Sequence, residues 1–299
     1  MIIHNNLDNK FHLEIQISNL CNLNCKHCLM NDSLDDRIIG YDKLYDFINK
    51  NKDNICEVHF AGGEPLLYPS ERLLNIIKDF KDIKFHMTSN LQYEITDLRR
   101  DIIESLYDFS TSFDYKIRFN TISELLLWKS NLRKIKEIRK DKDINVFVTV
   151  TSLLVDNISV YRLSKFFNKL KVYYTLNPLI MLGKCKYNKY LIPDINKEAM
   201  YIYNSILLND KYNLTKCRIL RKEYTNCEYN NKYIKNYDID LNEIRCVKDK
   251  NCKHINCNFY CEYNTLCNGR CKYINCLGKF NKDIYYKCKE LNKGNINEY

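Results

Sequence analysis

The sequence predicts an α/β protein: a parallel sheet covered by helices, followed by a small cysteine-rich region. Three observations carry this. Short strand-like and longer helix-like stretches alternate from residue 13 to residue 177. Hydrophobic residues make up 45% of the 299-residue chain, enough for a substantial core. Of 15 cysteines, three lie within residues 21–28 and ten lie after residue 216. The length sets an expectation of about two domains.

The expected strands are Leu13–Ile17, Cys56–Phe60, Ile83–Met87, Asp108–Phe113, Ile144–Val150 and Lys171–Asn177, each short and bounded by turn residues. Between them, Tyr41–Lys50, Ser70–Phe80, Thr96–Leu106, Ser123–Lys140 and Ser159–Leu170 space their apolar residues at the helical period. On the longest, Leu125, Trp128, Leu132, Ile135 and Ile138 form one apolar face. Six strands alternating with helices imply a parallel sheet, whose sites form at the carboxyl ends of the strands. Ile195–Asn209 reads as a last helix. From about Lys211 onward the chain is short of aliphatic residues and rich in Cys, Tyr and Asn, so metal would have to supply much of its cohesion. The domain boundary is expected near residue 200, dividing 1–200 from 201–299.

Charge and targeting narrow the class. Lys and Arg exceed Asp and Glu by 47 to 37, a net charge of +10. Such a balance can attract nucleic acid or an acidic ligand, but the abundance of Lys, Asn, Ile and Tyr beside only two Ala fits AT-rich coding better than a nucleic-acid partner. No run of 18 apolar residues is present and the start lacks a signal-peptide pattern, so the expectation is a cytoplasmic protein with no membrane span. An odd cysteine count without a secretory signal argues against disulfides and for metal.

The first cluster reads Ser18-Asn19-Leu20-Cys21-Asn22-Leu23-Asn24-Cys25-Lys26-His27-Cys28, directly after the first strand. Three close thiolates suit three irons of a [4Fe–4S] cube and leave the fourth iron open to a ligand, as a catalytic centre requires. The competing reading is a zinc knuckle completed by His27. A second segment, Ala61-Gly62-Gly63-Glu64-Pro65, follows the second strand; two of only seven Gly are adjacent there. Glycines at a strand end let the backbone approach a ligand closely.

Together these segments resemble the signature of the radical S-adenosylmethionine (radical SAM) superfamily. The resemblance implies a partial (β/α)6 barrel of the TIM type. It also implies a [4Fe–4S] cluster on Cys21, Cys25 and Cys28, with S-adenosylmethionine (AdoMet) on the open iron. His27 stands where the family has an aromatic or His residue beside the adenine, and Gly62, Gly63 and Glu64 stand where it receives the methionine amino group. Ser89 and Asn90, in Thr88-Ser89-Asn90, fall where relatives place polar residues near AdoMet. Ser112-Phe113-Asp114 is similar to the family's Ser-x-Asp, with Ser112 expected at the ribose or carboxylate; Arg118 suits the carboxylate. Tyr115 replaces the Gly that usually follows that Asp.

The second cluster, Cys257-x3-Cys261-x5-Cys267-x3-Cys271 with Cys276 and Cys288 beyond it, resembles the SPASM extension of radical SAM enzymes, which binds two auxiliary [4Fe–4S] clusters. The family's first gap is one residue shorter. Upstream, Cys227-x13-Leu241-x4-Cys246 has the family spacing with Leu241 in place of Gly, and Tyr237-Asp238-Ile239-Asp240 resembles the hairpin before the second Cys. The resemblance assigns Cys217, Cys227, Cys246 and Cys271 to one auxiliary cluster and Cys257, Cys261, Cys267 and Cys288 to the other. Cys276 could replace Cys288, and Cys252 could replace Cys257. A zinc ribbon and a single auxiliary cluster are the alternatives.

The implied activity is reductive cleavage of AdoMet to a 5′-deoxyadenosyl radical that abstracts hydrogen from a substrate, with an electron donor such as flavodoxin or ferredoxin. Cys185 is a candidate thiol for hydrogen donation, against its reading as a small buried hydrophobe. Two substrate classes follow: a ribosomal peptide undergoing crosslinking, thioether formation or epimerisation, and a small molecule such as an amino sugar. With 12 residues before the first expected strand, a peptide maturase would need a separate leader-binding protein or direct recognition by the barrel. The non-enzymatic alternative is a zinc-binding nucleic-acid protein.

Overall fold

The computed structural model describes residues 10–30, 35–179, 183–208, 210–215 and 234–244. All ten cysteines from Cys217 onward, and so every expected auxiliary-cluster ligand, lie outside those residues. Six strands run parallel and side by side in chain order: β1 (Phe11–Ser18), β2 (Ile55–Gly62), β3 (Lys84–Ser89), β4 (Asp108–Phe113), β5 (Asn145–Val150) and β6 (Tyr173–Pro178). Helices α1 (Tyr41–Asn51), α2 (Ser70–Asp79), α3 (Asp97–Ser105), α4 (Ile122–Ile138) and α6 (Val160–Leu170) form the crossovers, with a short α5 (Ser152–Asn157) before α6 and α7 (Ile195–Leu207) after β6. This is the α/β architecture expected from the strand–helix alternation.

Period-two alternation sorts the strands into two faces. Leu13, Ile15 and Ile17, Phe85 and Met87, and Val146, Val148 and Val150 are buried on one face. They share a core with Leu44 and Ile48 of α1, Ile76 of α2, Ile102 of α3, Trp128, Leu132 and Ile135 of α4, and Phe167 of α6. Trp128 buries its indole there and donates from Nε1 to Thr111 Oγ1 at 3.1 Å, so its one polar atom is satisfied. The other face is polar: His12, Glu14 and Gln16 on β1, Glu57 and His59 on β2, His86 and Thr88 on β3. Burial pushes His59 down to about 4, a neutral imidazole at physiological pH.

Local signals set the helix ends. Thr121 and Glu124 form a reciprocal capping box at α4, and Thr96 and Ser159 accept from the backbone at α3 and α6. Lys171 turns left-handed at φ 53° to end α6, which is why β6 starts at Tyr173 rather than at Lys171 as the sequence suggested. The unexpected α5 is too short to show a periodicity; it is set by Thr151, whose hydroxyl accepts from Leu154 N.

The sheet also gains two strands that the alternation did not reveal. β7 (Ile234–Tyr237) adds parallel to the outer side of β1, pairing Glu14 with Asn236, and β8 (Glu243–Ile244) returns antiparallel to it. The hairpin expected at 237–240 is therefore present, and it extends the barrel sheet. Asp238 Oδ1 accepts from Asp240 N and Asn242 N at 3.0 Å, building the turn. Leu241 takes φ 59°, the left-handed conformation for which glycine is the natural residue.

On α7, Glu198 is buried, and its Oε1 has no hydrogen-bond partner among the described residues. Burial pushes its carboxyl from 4.5 up to about 8, against a hydrogen bond from the Leu179 backbone that pulls it down. The folded chain thus holds a proton that the unfolded chain releases above about pH 4.5, so this group's stabilisation is full below that pH and is lost as pH rises towards 8. Glu198→Gln is expected to raise Tm at pH 8 more than at pH 5, by an amount on the order of a few kcal/mol in stability. Equal shifts at the two pH values in calorimetry would show that Glu198 is ionised in the fold.

Candidate active site at the carboxyl ends of the strands

The cysteine loop leaves β1 at Ser18 and is built as a continuation of the β1–β2 ladder. Gly63 N donates to Ser18 O at 2.8 Å, and Glu64 N donates to Leu20 O at 2.8 Å. The adjacent glycines exist for this contact. A Cβ on Gly62, whose φ is 132°, would lie 2.0 Å from Ser18 O, and one on Gly63 would lie 2.2 Å from Leu20 O. The sequence suggested close approach to a ligand; the structure shows close approach to the cysteine loop itself.

Cys25 is buried, and Cys21 and Cys28 are partly so. Cys28 N closes a turn onto Cys25 O at 3.1 Å. Burial pushes all three thiols up, Cys25 to about 11, and the Arg118 charge works against this at each of them. Cys25 is further raised by its neighbours Cys28 and Cys21. Three crowded thiols of this kind are poor places for bare thiolates and good places for thiolates bound to a cationic metal centre. Three closely spaced thiols can each serve one iron of a cube, so the chemistry of the donor set suits a [4Fe–4S] group.

His27 is engaged through one ring nitrogen, while its Nδ1 is buried with no hydrogen-bond partner among the described residues. Its Nε2 lies 3.3 Å from Asp114 Oδ2. Asp114, fully buried just past β4, also receives Arg118 Nε at 2.7 Å and Thr149 N at 3.2 Å. Burial alone would raise the Asp114 carboxyl, but His27 and Arg118 beside it outweigh that and hold it well below the usual range. Arg118 is raised in turn, its burial offset by Asp114. Nε is the one guanidinium nitrogen of Arg118 with a hydrogen bond among the described residues. Ser112, half-buried on β4, stands two residues before Asp114.

Glu64 is buried and faces protein. Its Oε1 accepts from Ser89 Oγ at 2.8 Å and Leu66 N at 3.3 Å, and its Oε2 accepts from Asn90 N at 2.7 Å. Burial pushes its carboxyl up to about 7 in spite of these donors. Ser89 also bonds the buried Tyr93 hydroxyl. Asn90 reaches the cysteine loop, with Nδ2 2.8 Å from Asn22 Oδ1 and 3.9 Å from Cys21 Sγ.

Cys185 lies fully buried in a small apolar cluster with Ile117, Leu179 and Leu191, and burial raises its thiol. That placement favours packing over hydrogen donation. Its segment has a role the sequence did not signal. Lys184 N donates to Cys28 O at 2.9 Å, Asn188 Nδ2 donates to Lys26 O at 3.0 Å, and Lys184 Nζ bonds Asn24 Oδ1. Gly183, at φ 54°, brings the strap so close that a Cβ would lie 2.2 Å from Cys28 O. The isolated Gly at the end of the last strand pattern was the one available hint.

With this geometry established, known proteins offer a comparison. No protein-family model matches the chain. "Uncharacterized protein MJ0907" of Methanocaldococcus jannaschii is 29% identical over 113 residues, 37% of this chain and 38% of that protein. The structure of Streptococcus suis SuiB bound to precursor peptide SuiA aligns with a TM-score of 0.57 at 16% identity, over 80% of this chain and 60% of SuiB. Native anSMEcpe with bound AdoMet and the Kp18Cys peptide aligns with a TM-score of 0.65 at 15% identity, over 95% of this chain and 99% of that one. The chain therefore spans under two thirds of the length of MJ0907 and of SuiB. At these identities the likeness establishes the fold alone, the α/β parallel sheet that the chain shares with SuiB and anSMEcpe. SuiB has also been solved bound to S-adenosylmethionine.

Two substitutions test this site. Gly63→Ala is expected to prevent the loop from docking and to lower Tm sharply, because the obstructing atoms are backbone. Asp114→Asn is expected to cost about 3 kcal/mol in urea unfolding, since it leaves the buried Arg118 charge without its partner. A loss below about 0.5 kcal/mol, the scale of an ordinary surface change, would show that the buried pair is not formed.

Proposed function

We propose that this protein is a radical SAM enzyme that modifies a peptide. One observation carries the reading: a loop with three thiols at the carboxyl end of β1, docked on a Gly-Gly-Glu turn at the end of β2, in a fold shared with AdoMet-bound structures. Cys21, Cys25 and Cys28 would hold a [4Fe–4S] cluster. When bound, that group supplies the electron that splits AdoMet into methionine and a 5′-deoxyadenosyl radical able to take hydrogen from substrate. The chain's own residues bind and orient. The outer fork of Arg118 is suited to the AdoMet carboxylate, His27 to the adenine side, and Ser112 to the ribose or carboxylate. Asp114 keeps His27 and Arg118 in place for this.

The peptide class is supported by the fold neighbours, since SuiB was solved with a precursor peptide and anSMEcpe with a peptide beside AdoMet. The net charge of +10 suits an acidic leader segment. Cys217, Cys227, Cys246 and Cys271, with Cys257, Cys261, Cys267 and Cys288, belong to the proposal as ligands of two auxiliary [4Fe–4S] clusters. A flavodoxin or ferredoxin is the proposed electron donor.

Anaerobic reconstitution with iron and sulfide tests the reading, followed by dithionite reduction and chromatography for 5′-deoxyadenosine. The wild-type chain is expected to cleave AdoMet, and the triple Cys21→Ala, Cys25→Ala, Cys28→Ala variant to lose cleavage entirely. Cys261→Ala should keep cleavage and lose product formation. Zinc in place of iron, or cleavage retained by the triple variant, overturns the assignment. Mass spectrometry of candidate peptides against amino sugars then decides the substrate class.

A further inference from the structure

The family resemblance assigns Glu64, Ser89 and Asn90 to the cofactor, yet the structure engages all three with protein. Both oxygens of Glu64 are occupied by Ser89 Oγ, Leu66 N and Asn90 N, within 3.3 Å, and its side chain is buried. Asn90 is buried too, and its amide is fully used. Oδ1 accepts from Gln92 N at 2.8 Å, so the other end must be the NH2 group, which meets Asn22 Oδ1 at 2.8 Å and Cys21 Sγ at 3.9 Å. Asn22 in turn donates to Gln92 O, closing a ring of contacts between the cysteine loop and the β3 turn. That turn carries Leu91 at φ 58° and is held from α4 by Asn131, whose Nδ2 donates to Leu91 O at 3.0 Å and Tyr93 O at 2.6 Å.

We propose that Glu64 and Asn90 are positioning residues for the first cysteine. Glu64 fixes the backbone at Asn90, and the Asn90 amide anchors Asn22 and donates to the Cys21 sulfur. The anchoring half stands on the chain alone. The electronic half rests on the cluster proposed above. A donor at a ligating sulfur stabilises the reduced, more negative cluster and raises its potential. The arrangement distinguishes Cys21, which carries this donor, from Cys25 and Cys28, which among the described residues receive no side-chain hydrogen bond.

The test uses full-length wild type, Asn90→Ala, the isosteric Asn90→Asp and Glu64→Gln. Hydrogen exchange on the metal-free chains reads the anchoring. Peptides covering residues 19–28 are expected to exchange about two- to tenfold faster in both Asn90 variants, the scale of one or two lost hydrogen bonds, with β5 and α4 unchanged. Glu64→Gln should loosen residues 89–92 as well as 19–28. Unchanged exchange at 19–28 in the Asn90 variants overturns the proposal. If Asn90→Ala melts globally, Asn90→Asp, which keeps the shape and reverses the donor, gives the same reading. After reconstitution, redox titration followed by electron paramagnetic resonance should show a more negative midpoint potential in Asn90→Ala than in wild type. An unchanged potential overturns the electronic half. Failure of the wild-type chain to take up iron would sink the proposed function while the exchange result still decides the anchoring.

Discussion

The site depends on one backbone contact. The end of β2 and the start of the cysteine loop run so close that neither Gly62 nor Gly63 can carry a Cβ, because Ser18 O and Leu20 O occupy that space. The two hydrogen bonds across this contact carry the parallel ladder two residues past the regular strands. Cys21 is the next residue after the last anchored carbonyl. The loop is thereby attached to the most buried part of the sheet before its first ligand appears. The same contact turns Glu64 inward, where it meets the end of β3. The glycine pair, the buried acid and the first cysteine are consequences of one packing requirement.

Much of the fold was legible, for reasons that can be stated residue by residue. The alternation of Leu13, Ile15 and Ile17, and of Val146, Val148 and Val150, marked strands with a single apolar face. Leu132 and Ile135 on α4 marked the matching helix face. What escaped were elements whose identity is tertiary. Ile234–Tyr237 has only four residues of alternation and becomes a strand because β1 offers it an unpaired edge. Leu241 masked the turn that a glycine would have announced, although its φ of 59° shows that the turn is there.

The site was legible in its membership and less so in its roles. Cys21, Cys25, Cys28, His27, Asp114 and Arg118 do converge at the carboxyl ends of β1 and β4. Their spacing in sequence could not say which of them face a ligand and which face each other. Burial decides that. Asp114 and Glu64, with almost no exposed surface, must satisfy their oxygens within the protein, and they do so with His27, Arg118 and Thr149, and with Ser89, Leu66 and Asn90. A sequence motif records that an acid is required; it does not record whether the acid binds the ligand or holds the residue that does.

Among the described residues between β1 and α1, the cysteine loop forms no helix or strand of its own. Its order comes from four neighbours: the β2 glycines, Asn90 after β3, Asp114 after β4, and the Gly183–Lys184 strap after β6. These contacts are made by protein to protein, so the loop is shaped by the ends of the sheet and a metal group would enter a site already formed. That separates it physically from a small metal domain whose folding energy is its binding energy. The cysteine-rich sequence beyond residue 216 has few aliphatic residues with which to make contacts of this kind, and its cohesion would have to come from metal. In the proposed reading one chain thus joins two ways of using cysteine: a loop positioned by the ends of a finished sheet, and a sequence whose cysteines would have to supply the cohesion that aliphatic residues do not.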